Sequence, residues 1–110
     1  MIDDRLRREI LELGLEDDIP LSELAGDCRA AGLIGDGPAG IDALARALAQ
    51  LARTGEIRVL VGAWNDPEPR QVQLDDAERL LADRRQYSSD EEIAHGLERV
   101  FYVNRDNVVE

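Results

Sequence analysis

Residues able to do acid–base, nucleophilic or metal chemistry are few in this 110-residue chain, and their spacing does not bring them together. His95 is the single histidine, in an Ala-His-Gly stretch. Cys28 is the single cysteine, on an apolar-periodic stretch with no histidine near it and no C-x-x-C partner. A general base or a reactive thiol needs a second group within hydrogen-bond reach and a third to orient it. His95 therefore reads as a surface or partly packed imidazole, and Cys28 as a small buried hydrophobe. Carboxylates are paired at Asp17/Asp18, Asp75/Asp76 and Glu91/Glu92, but none follows an EF-hand loop or another metal spacing. They read as helix caps and solvated faces, so the chain is expected to be non-enzymatic, with no cofactor and no metal.

Two other groups have the chemistry of recognition. Arg46, Gln50 and Arg53 recur at i, i+4 and i+7, which sets them on one face of a helix, and these residue types match guanine and adenine edges. The same pattern suits a solvated helix, since Arg and Gln are good helix formers. Trp64 stands beside the turn Asn-Asp-Pro-Glu-Pro (65–69), with Asp66 and Glu68 at the tip and Arg70 just beyond. A tryptophan there either closes a small hairpin core or is displayed as an interface anchor.

The elements that must position these groups follow from periodicity. Asp3 or Asp4 caps a first helix with Leu6, Ile10 and Leu13 on its apolar stripe and Gly14 as a left-handed stop. Ile19-Pro20-Leu21 is extended, and Ser22 caps a second helix carrying Leu24, Ala25, Cys28 and Ala31 before Gly32. The glycine-rich stretch 32–40 is a loop, and Pro38 opens a third helix with Ile41, Leu44, Ala45, Leu48, Leu51 and Ala52 on one stripe, closed by Thr54-Gly55. Ile57, Val59 and Val61 alternate in strand fashion, and Val72 and Leu74 sit in a return strand. Asp75 with Glu78 opens a helix through Leu80, Leu81 and Tyr87. Ser89 with Glu92 is a capping box ahead of Ile93, Ala94 and Leu97. Residues 100–103 suit either a strand added to the hairpin or a continued helix, and periodicity over so few residues does not decide between them.

This order of helix, short strand, helix, turn, helix, strand, wing and strand over about residues 3–74 resembles the winged helix-turn-helix superfamily. The resemblance implies an α+β, winged-helix-like domain at 1–74, a three-helix core with a β-hairpin wing; the last third of the chain is unmatched by it, and the capping signals there read as a helical extension at 75–110 packed on that domain, with a final strand if 100–103 is extended. It also implies a recognition helix at 41–53, with Arg46, Gln50, Arg53 and Arg70 as DNA contacts. The wing departs from that pattern, because Asp66 and Glu68 stand where a DNA-binding wing brings Lys or Arg to phosphates.

Charge points the same way as the wing. The 24 acidic and 13 basic residues give a formal net charge of −11, divided as −6 over residues 1–70 and −5 over 71–110. Such a surface slows approach to phosphate or anionic lipid and favours cationic partners. All the basic residues are arginine and alanine is abundant, which reads as the coding bias of a GC-rich bacterial genome. A charged N-terminus, one cysteine and no long apolar run fit a cytoplasmic protein that does not enter membranes. The expected function is an acidic protein–protein interaction module, of the kind represented by an immunity protein or antitoxin that masks a basic partner through Trp64, Asp66 and Glu68. The alternative is a winged-helix DNA-binding regulator, and either leaves room for a homodimer.

Overall fold

The computed structural model describes residues 4–16, 18–35, 37–62, 70–87 and 99–105, the side chains of Glu16 and Arg85 excepted. Over these the chain is a mixed α+β fold of four α-helices and a four-stranded antiparallel sheet. Helix α1 (Asp4–Glu16) buries Leu6 and Ile10, with Leu13 packed at the margin of the core. It does not stop at Gly14. That glycine stays within the helix, where a Cβ would lie 2.7 Å from the Asn104 amide nitrogen and 2.9 Å from the Tyr102 ring. The missing side chain serves close approach of another segment, not a left-handed cap.

Strand β1 (Ile19–Pro20) runs straight into helix α2 (Leu21–Ala30), so Pro20 holds the N-cap position and Ser22, expected there, lies in the first turn. A proline preset near φ −62° suits this strand-to-helix corner, and its missing N–H leaves no gap in the ladder because β1 is an edge strand. Helix α2 buries Leu21, Leu24, Ala25 and Cys28, while Ala31 falls at the C-cap and is exposed. Helix α3 (Pro38–Arg53) begins on Pro38 and buries Ile41, Leu44, Ala47, Leu48 and Leu51, with Ala45 and Ala52 flanking. Both helices end the same way. Gly32 (φ 73°) and Gly55 (φ 79°) take the left-handed conformation, and the next amides, of Leu33 and Glu56, donate back to the Cys28 and Leu51 carbonyls at 2.9 and 3.0 Å.

Strand β2 (Ile57–Gly62) puts Ile57, Val59 and Val61 into the core, as its alternation predicts. The return strand β3 is only Arg70–Gln71. Val72 adds one more bond, its N–H to the Val59 carbonyl at 3.0 Å, and Leu74 already belongs to helix α4 (Leu74–Leu81). The N-cap of α4 is Gln73, not Asp75. Starting there sets Ala77 and Leu81 one turn apart on the buried side and puts Asp75 and Asp76 in the first turn, where carboxylates favour the helix dipole. A 3-10 turn (Arg84–Tyr87) follows, and the buried Tyr87 hydroxyl donates to the Leu81 carbonyl at 2.7 Å. The helix expected at Ser89–Leu97 lies outside the described residues.

Residues 99–104 form a strand, β4 (Arg99–Asn104), and it takes the middle of the sheet, in the order β1-β4-β2-β3. It pairs with β2 from Ile57↔Asn104 to Gly62↔Arg99 and with β1 through Ile19↔Tyr102. The segments before and after residue 74 therefore share one sheet. Across that sheet the Tyr102 hydroxyl donates to the Ile10 carbonyl at 2.7 Å, and Asn104 Nδ2 donates to the Leu11 carbonyl at 2.9 Å, fastening α1 to β4.

Two glycine-to-alanine changes are expected to act with opposite sign. Gly14→Ala collides with β4 and lowers the unfolding free energy by about 1–3 kcal/mol. Gly26, in the interior of α2 with nothing within 4 Å of a Cβ, gains helix propensity, so Gly26→Ala raises it by roughly 0.5–1 kcal/mol. Urea denaturation of the two variants beside the wild type measures both.

Candidate functional site

Among the described residues, the groups with catalytic chemistry do not gather into a cluster. Cys28 is fully buried on the core side of α2, and burial, then the Glu9 and Asp27 carboxylates, push its thiol up to about 12. A thiol in that state is inert. His95, Asp17 and the Glu91/Glu92 pair lie outside the described residues. Asp18 is half-buried after α1, and Asp75 and Asp76 are exposed on α4, far along the chain from it. Among the described residues no group of three or more His, Cys, Asp or Glu side chains is arranged to hold a metal ion.

The outer face of α3 is a surface of paired charge. Arg46, Gln50 and Arg53 are all exposed on it, as their spacing predicts. Arg53, however, donates from Nε to Glu78 Oε1 of α4 at 2.5 Å, which raises its pKa above the ordinary arginine value. At the other end Arg84 of the 3-10 turn grips Asp42 with two bonds, Nε to Oδ1 at 3.1 Å and Nη2 to Oδ2 at 2.8 Å. These hydrogen bonds first, then the charges of Arg84 and Arg46, hold the Asp42 carboxyl below its usual range. Helix α4 and the 3-10 turn thus bracket α3, each answering one of its charges with an opposite one. Arg70 is exposed on β3, opposite Val61 in the sheet register. Trp64, Asp66 and Glu68, between β2 and β3 in sequence, lie outside the described residues.

Sequence reasoning missed Glu78 and Arg84 as neighbours of α3. They stand 25 and 42 positions from their partners, and no local pattern links residues so far apart. The one accessible hint was the strong amphipathic pattern of α4, which calls for a buried face and therefore for a helix to pack on.

None of the described helices is long and apolar enough to cross a membrane. Comparison with protein-family models, with curated proteins and with solved structures finds no match to this chain.

Part-exposed carboxylates in ion pairs and a buried thiol set a window of pH stability. Asp42 and Glu56 have depressed values, so their contribution is present above the ordinary carboxylate values of 3.8 and 4.5 and is lost as pH falls through the lower, folded ones. Cys28 acts at the other end, because the unfolded thiol ionises above 9.0 while the folded one resists up to about 12, so unfolding gains as pH climbs through that range. Stability is expected to decline on both sides. A thiol-reactive dye should leave native protein unlabelled near pH 8 and label it fully once denatured.

Proposed function

We propose that this chain is a winged-helix-like, non-enzymatic module that binds a basic protein, with an immunity protein or antitoxin masking a cationic toxin as its concrete form. The order of α1, β1, α2, α3, β2 and β3 supports the winged-helix reading, with β4 between β1 and β2 as an addition to the layout. The observation that carries the functional reading is electrostatic. The chain carries −11 overall, with Asp66 and Glu68 among its acids, while on α3 Arg53 is already answered by Glu78 and Asp42 by Arg84. Such surplus charge speeds encounter with a cationic partner and fixes its orientation more than it adds raw affinity. Trp64, next to those two acids in sequence, is the natural anchor to bury at the centre of that contact.

A second reading, a DNA-binding regulator, is favoured by one observation: Arg46 and Gln50 are exposed one turn apart on α3. Against it, Arg53 would have to give up Glu78 to reach a phosphate or a base edge, and the Asp42 and Glu78 carboxylates stand beside the arginines that would do so.

Affinity capture of the tagged chain from its own cells, with and without nuclease, separates the readings. A stoichiometric basic protein is expected, retained after nuclease and released as salt rises from about 0.1 M to 1 M, where the screening length shrinks from about 10 Å to 3 Å. Enrichment of a discrete DNA sequence, lost on Arg46→Ala and Arg53→Ala, would reverse the conclusion. Glu78→Gln frees Arg53 and sharpens the contrast. It should leave DNA affinity at background, whereas a DNA-reading helix would bind more tightly.

A further inference from the structure

The solvent side of α1, turned away from Leu6 and Ile10, carries one stripe of Asp4, Arg7, Arg8, Leu11, Glu12 and Leu15 around an open depression of about 260 Å³. Leu15 is 47% exposed; among the described residues only Leu74, at 42% on α4, is a comparably exposed large hydrophobic residue. Arg7 is anchored at the rim by its ion pair with Glu56, whose other carboxylate oxygen accepts from the Thr54 hydroxyl at 2.9 Å. We infer that this stripe is a twofold contact between two copies of the chain, α1 lying antiparallel to α1.

The order of charges along the helix carries the inference. Asp4, Arg8 and Glu12 follow one another at four-residue steps, alternating in sign. When two such helices run antiparallel about an axis at the level of Ile10, positions equidistant from Ile10 come side by side. Arg8 then faces Glu12 of the second copy, and Glu12 faces its Arg8, so one axis forms the pair twice. The Leu11 side chains meet across that axis, and each Leu15 covers the methylene stem of the opposite Arg8. Net charge selects the same place. Two molecules of −11 repel at a distance, yet the residues around this depression include two arginines and two acids, so the stripe itself sums to zero charge. A basic partner gains nothing from such a neutral stripe, which keeps this surface apart from the one proposed above.

A helix of 13 residues is about 20 Å long. The contact therefore falls short of the roughly 800 Å² per partner of a stable complex, and the dimer is a weak one, with a dissociation constant on the order of 100 µM. Sedimentation equilibrium of the full chain across that concentration tests it, with circular dichroism checking the fold of each variant. Wild type should dimerise. Leu15→Arg and Arg8→Glu should each weaken the dimer by about tenfold. Arg8→Glu combined with Glu12→Arg should restore it, because each swapped residue meets a swapped partner. Arg29→Glu, an exposed position on α2 with the same change of net charge, should leave the dimer largely intact. A chain monomeric at every concentration, a dimer indifferent to Leu15→Arg and Arg8→Glu, or a double swap that fails to rescue would overturn the inference.

Discussion

Strand β4 holds the molecule together. It pairs along six residues with β2 on one side and with β1 on the other, and its Tyr102 reaches through to α1, where the phenol donates to the Ile10 carbonyl. Tyr102 is fully buried, so its hydroxyl must find a partner inside the protein or cost about 1–3 kcal/mol. The Ile10 carbonyl meets that need. Asn104 does the same one residue along, at Leu11, and Gly14 removes the one side chain that would hold α1 off. Helices α2 and α3 then pack their aliphatic stripes on the other elements, a core with almost no aromatic content apart from Tyr87 and Tyr102.

What could be read from the sequence was local. The stripes of α1, α2 and α3, the alternation of β2 and the glycine stops after α2 and α3 are short-range patterns set by helical and strand periods, and the structure follows them closely. The misreadings share one cause. Gly14 looks like a cap until Asn104, far away in sequence, is seen against it. Ser22 is a better capping residue than Pro20 in isolation, but β1 must pair with β4 right up to Pro20. Leu74 continues a strand pattern, yet burying Ala77 and Leu81 needs a helix from that point. The ambiguity at residues 100–103 was resolved by two open sheet edges, which no local window contains.

The recognition surface shows the same division. The exposure of Arg46, Gln50 and Arg53 was legible because a helix face is a local property. Their electrostatic state was not, since Glu78 and Arg84 come from elements that reach α3 only through the tertiary fold. Exposed ion pairs of this kind add little to stability and are screened by salt. Their consequence is for recognition: two of the charges that α3 could offer a ligand are already answered within the chain.

If β4 joins the two segments into one cooperative unit, its amides must open only when the whole molecule does. Hydrogen exchange of the native protein measures this directly. The account predicts that the paired amides of residues 100–104 exchange as slowly as those of β2, with protection equal to the global unfolding free energy, and that Tyr102→Phe lowers both together. Fast exchange in β4 while α1, α3 and β2 stay protected would contradict it, making the last strand an appendage to a fold that stands without it.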